Sequence, residues 1–262
     1  MKNINTAALV SRDRNNSQAW FKQWFDSSFY HQLYANRNEK EAASFIEALI
    51  NELRPATNSR MLDLGCGNGR HSKYLGSKGF DVTGLDLASS SIRQAKRSET
   101  EKLHFYCHDM RMPFGRNTFD YVFNFFTSFG YFDDPSQDRK VVTNIYSALK
   151  PGGTLVMDYI NSVHSEKKLV AAEKKEIDGL IYDITRWTTD THFFKKIRIE
   201  NIGLGEPVEH IERVKKFSAD DLKDLFAHCG LQLESVYGDY FLNEYDVQTS
   251  PRLILIAKKI SK

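Results

Sequence analysis

The sequence predicts an α/β protein: a doubly wound, mostly parallel seven-stranded sheet with an N-terminal helical cap and an antiparallel β insertion. Three observations carry that prediction. Between residues 57 and 164 strand-like apolar runs alternate with amphipathic helix-like segments, the pattern of a parallel sheet covered by helices on both faces. The strand at 60–64 runs into three alternate glycines, Gly65, Gly67 and Gly69. Beyond residue 165 the hydrophobic period shifts towards two, before one helix and two closing strands.

Residues 1–16 are polar and read as a flexible tail. A helical cap spans 17–56. Its first helix carries Trp20, Phe21, Trp24, Phe25, Phe29, Leu33 and Tyr34 near i, i+4 spacing, a stripe in which Trp20, Phe21, Trp24 and Phe25 fit ordinary packing. Its second helix opens at Asn38 with Glu41 three residues on, buries Phe45, Ile46, Leu49 and Leu53, and stops before Pro55. The core comprises 57–164 and 217–262. Strands read at 60–64, 80–85, 103–107, 119–125 and 153–159, with helices near 69–78, 89–98 and 136–149. The insertion at 165–216 alternates over Ile177–Thr188, His192–Ile199 and Val208–Phe217, with turns at Asp178-Gly179 and Gly203-Leu204-Gly205. Its lysine pairs, such as Lys195-Lys196 and Lys215-Lys216, read as a solvated strand face. Ser218 caps a helix bearing Leu222, Leu225 and Phe226 that ends at Gly230. Strands at 231–237 and 252–258 close the sheet.

Composition excludes several function classes. Thirty-six basic and 34 acidic side chains give a net charge of +2, far from the imbalance of a nucleic-acid binder. Cys66, Cys107 and Cys229 form no disulfide framework and no CxxC, which fits a reducing, cytoplasmic setting. No run reaches the ~18 apolar residues of a membrane span, and no signal-peptide core follows Met1. The chain reads as soluble, bound to neither membrane nor nucleic acid, and monomeric or homodimeric. No clustered Cys/His pattern has metal-ligand spacing.

The segment Met61-Leu62-Asp63-Leu64-Gly65-Cys66-Gly67-Asn68-Gly69-Arg70 holds the most chemistry. Glycine suits a backbone that turns sharply or lies against a ligand, and the helix that follows offers unpaired N–H groups. A dinucleotide fold wants Gly-x-Gly-x-x-Gly. Here the spacing is Gly-x-Gly-x-Gly, with Arg70 at the position of the dinucleotide's third glycine. Asp63, two residues before the first glycine, suits a cationic amino group better than a phosphate, by charge sign. S-adenosylmethionine (SAM) carries such an ammonium, so the loop favours SAM over a nicotinamide dinucleotide. Asp86 lies seventeen residues beyond Gly69 at a strand's carboxyl end, where a carboxylate can accept from both ribose hydroxyls.

Leu62-Asp63-Leu64-Gly65-Cys66-Gly67-Asn68-Gly69 resembles motif I of the class I SAM-dependent methyltransferases, a Rossmann-like family. Gly84-Leu85-Asp86-Leu87, Cys107-His108-Asp109-Met110, Phe119-Asp120-Tyr121-Val122-Phe123-Asn124 and Leu149-Lys150-Pro151-Gly152-Gly153 follow in the family's order, so the resemblance runs over about residues 20–258. It implies SAM as cofactor and S-adenosyl-L-homocysteine (SAH) as product. It implies that Leu87 lies against the adenine, that Asp109 accepts from the adenine amino group, and that the Met110 N–H faces the ring. Asn124 would line the methionine portion, and Cys66 would offer its backbone rather than its thiol.

Tyr30-His31-Gln32-Leu33-Tyr34-Ala35-Asn36-Arg37 resembles a segment of enzymes that N-methylate small amines, notably the amino-sugar N-methyltransferases. Phe126-Thr127-Ser128-Phe129-Gly130-Tyr131 and Val208-Glu209-His210-Ile211 extend the likeness. The resemblance implies that Tyr30, Tyr34 and Arg37 face cofactor or acceptor. Tyr131 stands where that subgroup often has a histidine near the reacting amine. Tyr34 and Tyr131 are thus the candidate catalytic residues. The function implied is methyl transfer to nitrogen or oxygen of a small molecule by in-line displacement, a reaction served chiefly by positioning. The alternatives are a non-catalytic SAM-binding regulator and an RNA or protein methyltransferase.

Overall fold

The computed structural model describes residues 20–35, 39–201, 203 and 205–260. The tail expected at 1–16, the opening of the second cap helix at Asn38, and Arg37 lie outside them.

The cap stripe forms two short helices rather than one: α1 (Trp20–Phe25) and α2 (Ser28–Leu33). The break falls at Ser27, whose hydroxyl accepts from the Tyr30 N–H at 3.1 Å and so caps α2. After α3 (Glu39–Leu53) the chain alternates as expected: β1 (Arg60–Leu64), α4 (Arg70–Ser77), β2 (Asp81–Asp86), α5 (Ser89–Ala95), β3 (Leu103–Cys107), β4 (Phe119–Asn124), α6 (Pro135–Ala148) and β5 (Leu149–Ile160). A short α7 (Ser162–Lys167), not expected, is capped by the Asn161 side chain, which accepts from the Val163 N–H. The insertion holds four strands, β6 (Ala172–Ile177), β7 (Leu180–Thr188), β8 (His192–Glu200) and β9 (Val208–Lys215). Then come α8 (Ala219–His228), β10 (Leu231–Tyr237) and β11 (Arg252–Lys259).

Strand β6, Ala-Glu-Lys-Lys-Glu-Ile, was not expected. It is an edge strand with almost no apolar alternation, held by its ladder with β7. The joining turn, Asp178-Gly179, has φ of 49° and 77°, the doubly left-handed geometry of a tight hairpin.

The seven-stranded sheet has the order β3-β2-β1-β4-β5-β11-β10. Strand β11 runs antiparallel to both neighbours, and the remaining pairs among β1–β5 are parallel. Chain order reverses between β1 and β4. Their carboxyl tips therefore flank the crevice where doubly wound sheets bind ligands. Strand alternation sends Leu62, Leu64, Val122 and Leu155 against Val142 and Ile145 of α6 and Phe226 of α8. The opposite face packs Met61, Val82, Phe105 and Val156 against Phe45 and Ile46 of α3 and Leu75 of α4. Each fully buried aliphatic side chain stabilises the fold by about 1.5–3 kcal/mol.

The four-stranded antiparallel sheet stands apart from the core sheet. Its inward residues Tyr182, Ile184, Ile197 and Ile199 bury Trp24 of α1. Three lysines depart from the expected solvated face; Lys216, its side chain 10% exposed, pairs with Glu166. Lys195 and Lys215 point inward, with side chains only 16% and 11% exposed, and pair with Glu212 and Asp138. Strand register decides this, because Lys195 lies opposite Glu212 on the cap-facing side of the sheet.

Candidate active site

The carboxyl tips of β1 and β2, the cap and the antiparallel sheet enclose a cavity of about 610 Å³. Its floor is the glycine bend. Gly65 and Cys66 both donate to the Leu85 carbonyl, at 2.7 and 3.0 Å, which ties the bend to β2. A Cβ on Gly65 would lie 2.6 Å from Ser128, and one on Gly69 2.6 Å from Phe105, so these two are glycines for packing. Gly67 differs. Its φ is +56°, and a Cβ there would meet nothing within 4 Å. Gly67 lines the cavity, so its missing side chain leaves room for a ligand to touch the backbone.

Asp86 terminates β2 beside this bend. Its Oδ2 accepts from the Gly67 N–H and its Oδ1 from the Ala88 N–H, each at 2.8 Å. Asp86 also lines the cavity. Leu87, Asp109 and Met110 continue the wall. Asp109 also grips Arg111 through paired bonds of 3.0 and 2.6 Å. Burial alone would raise its pKa; the Arg111 hydrogen bonds and charge outweigh that and hold it below the usual carboxylate range. Asp109 thus forms a structural fork with Arg111 at the cavity wall.

Other candidates sit behind the wall. Asp63 is buried and does not line the cavity; its Oδ2 accepts from Ser72 Oγ at 2.6 Å. Its other oxygen has no partner among the described residues. Burial pushes its pKa up to about 6, and the nearby Asp86 charge adds to that. Asn124 is also fully buried, donating to the Leu64 carbonyl at 2.7 Å, and it buttresses the tips of β1 and β4. The Cys66 thiol is pushed well above its ordinary value by burial and by the Asp63 and Asp86 charges. It is no ready nucleophile.

The side of the cavity beneath the cap is aromatic. Tyr131 meets Trp20 and Phe25 edge-on at 5.7 and 5.3 Å, and Tyr30 lies 4.8 Å from Tyr34. Trp20, Phe21 and Phe25, expected to be ordinary packing, line the cavity with Tyr30, Tyr34 and Tyr131. The cap is latched to the core by Asp26, which accepts from Ser90 N at 2.6 Å and Ser89 Oγ at 3.0 Å. Burial opposes ionisation of Asp26, and the hydrogen bonds from Ser90 and Ser89 prevail and lower its pKa. Across the cavity Glu212 of β9 accepts from Trp24 Nε1 at 2.6 Å and from the Tyr34 hydroxyl at 3.0 Å. Lys195 donates to that hydroxyl and lies 3.8 Å from Glu212 Oε2. Burial pulls Lys195 below its ordinary pKa, and Glu212 offsets part of the shift.

The loop after β4 is strained. Phe126 and Thr127 have φ of 56° and 58°, a rare conformation for non-glycine residues and costly for β-branched threonine. Asp158 of β5 holds it, accepting from the Phe126 N–H at 2.8 Å and from Arg252 Nε at 2.7 Å. Arg252 in turn donates to Thr127 Oγ1 at 2.9 Å.

A family model described as a methyltransferase domain matches residues 61–153, the stretch holding the glycine bend, Asp86 and Asp109. Two curated relatives match nearly end to end. A protein of Geobacillus sp. (strain WCH70) is 26% identical over 91% of this chain and 98% of its own length. YqeM of Bacillus subtilis (strain 168) is 28% identical over 89% and 95%. Both carry a methyltransferase name that is itself provisional. The chain carries a SAM-dependent methyltransferase domain.

Solved structures share the methyltransferase fold. A SAM-dependent methyltransferase from Clostridium acetobutylicum ATCC 824 superposes with a TM-score of 0.73 at 18% identity, covering 88% of this chain and 96% of its own. The sugar N-methyltransferase KedS8 from Streptoalloteichus sp. ATCC 53650 does so with a TM-score of 0.66 at 18% identity, covering 100% and 95%. On the methyltransferase itself, sequence reasoning missed Glu212, Arg252 and Asp26. Glu212 shares strand parity with His210, but a charged residue in an alternating strand reads as solvated. Arg252 and Asp26 carried no signal, since their roles rest on contacts 94 and 64 residues away.

Proposed function

We propose that this methyltransferase moves the SAM methyl group to nitrogen or oxygen of a small molecule held between the sheet tips and the aromatic roof. The cavity is the observation that supports this reading. Its volume falls within the range of about 300–1,000 Å³ usual for small-molecule sites, and cap and antiparallel sheet roof it over, whereas a polymer acceptor needs an open groove. The division into tail (1–16), cap (17–56), core (57–164 and 217–262) and lid (165–216) belongs to the same reading. So do a cytoplasmic setting, a monomer or homodimer, and no nucleic-acid partner. Among the described residues no helix is long and apolar enough to cross a membrane. The likeness to KedS8 favours nitrogen.

Asp86 receives the ribose hydroxyls, Leu87 and the Met110 N–H face the adenine, and Asp109 accepts from its amino group. The open backbone at Gly67, with Gly65 and Cys66, takes the methionine portion. Asp63, Gly69 and Asn124 hold that bend from behind, and the one unpartnered oxygen of Asp63 suits a nearby ammonium. Bound there, SAM supplies a methyl group on a positively charged sulfur. Tyr30 and Tyr34 on one side, Tyr131 on the other, orient the acceptor and exclude water. Alignment of this kind contributes about 7–11 kcal/mol in favourable cases.

Calorimetric titration with SAM and SAH tests the cofactor site, and SAH release from a panel of small amines and alcohols tests the reaction. SAM binding without turnover on any panel member would favour a regulator. Turnover confined to RNA or protein would refute the small-molecule reading.

A further inference from the structure

The group that disposes of the acceptor's proton has no histidine to serve it at Tyr131. On the described surface of the cavity, Glu212 and Tyr34 form a connected donor–acceptor pair. The Tyr34 hydroxyl donates to Glu212 Oε1 at 3.0 Å and receives a hydrogen bond from Lys195. Trp24 Nε1 fixes Glu212 at 2.6 Å and is itself buried. His210 lies against Trp24, ring centroids 4.5 Å apart and planes tilted by 33°. The carboxylate is thus held by two donors, with a side chain only 17% exposed, on the cavity wall.

We infer that Glu212 is the proton acceptor and charge partner of methyl transfer, reached through the Tyr34 hydroxyl. This rests on the proposed reading of the site. A lone pair on the acceptor atom X forms the new bond to the methyl carbon, and the X–H bond breaks with its electron pair left on X in place of the one used. The pair of the broken carbon–sulfur bond stays on sulfur. The acceptor proton passes to the Tyr34 oxygen as the Tyr34 proton passes to Glu212, which later releases it to water. Lys195 is a positioning residue that steadies the Tyr34 oxygen while charge moves across it. Fixed charges of this kind act strongly because they need no reorganisation during the reaction.

The test needs no known acceptor. Sinefungin is an SAH analogue in which a carbon bearing an ammonium replaces the sulfur, so it places a positive charge at the reacting centre. Calorimetry on the full chain should give at least tenfold tighter binding of sinefungin than of SAH. Glu212→Gln keeps the shape and the hydrogen-bond acceptor; it should bring that ratio close to one while SAH affinity stays within twofold. Tyr34→Phe should do the same, and the double variant no more, because the two groups act in series. A ratio unchanged in Glu212→Gln, or equal loss for both ligands, overturns the assignment, as does a wild type that does not prefer sinefungin. If Glu212→Gln does not fold, Tyr34→Phe decides alone. A wild type that takes neither ligand refutes the methyl-transfer reading, and this assignment with it.

Discussion

Asp86 holds the glycine bend with one oxygen and the start of α5 with the other. Asp86→Ala should therefore weaken SAM binding about a hundredfold, since hydrogen bonds to a charged group contribute about 1.5–3 kcal/mol each; calorimetry checks it. Asp63 gives a pH signature. Its folded pKa, near 6, lies above the ordinary 3.8. The stability it contributes is full below its ordinary value and is lost as pH rises through about 6. The unfolding free energy of wild type relative to Asp63→Asn should thus fall by about 2 kcal/mol between pH 4 and pH 7, measured by urea titration. Asp86 was legible because its spacing from the glycines is local. Glu212 was not, because a charged residue in an alternating strand looks solvated until register places it opposite Lys195.

The cap is joined to the core by a side chain acting as a helix cap at a distance: Asp26 of the α1–α2 connection satisfies Ser90 N in the first turn of α5. Asp26→Ala should cost about 1 kcal/mol, as cap losses do, and should raise amide hydrogen exchange in α1 and α2 more than in α3. Helix α8 carries a complete capping box, Ser218 with Asp221, and Ser218→Ala should lower the urea midpoint by a similar free energy without changing SAM affinity. That helix was readable because its cap lies within four residues. The break between α1 and α2 was not, since the apolar stripe runs on through Ser27 and only the Ser27–Tyr30 hydrogen bond marks the new start. Strand β6 escaped for the converse reason: its pairing with β7 does what its own composition does not.

The molecule's near-neutral charge balance has a kinetic consequence. If the acceptor is small and no phosphate backbone is engaged, KM should change less than twofold between 50 and 200 mM salt, whereas a nucleic-acid substrate would weaken by orders of magnitude. The parallel, helix-covered core was legible at this scale from alternation, because each strand–helix unit is contiguous in sequence; the strand order itself was not. The closure of the cavity was not, because its roof joins segments far apart in the chain. Trp24 and Glu212, 188 residues apart, meet there, and Gln32 meets Tyr182. Redirecting the enzyme to a new acceptor therefore calls for transplanting residues 20–35 together with the hairpins of 172–215. Hairpins grafted alone would arrive without the indole and phenol that seat their central carboxylate.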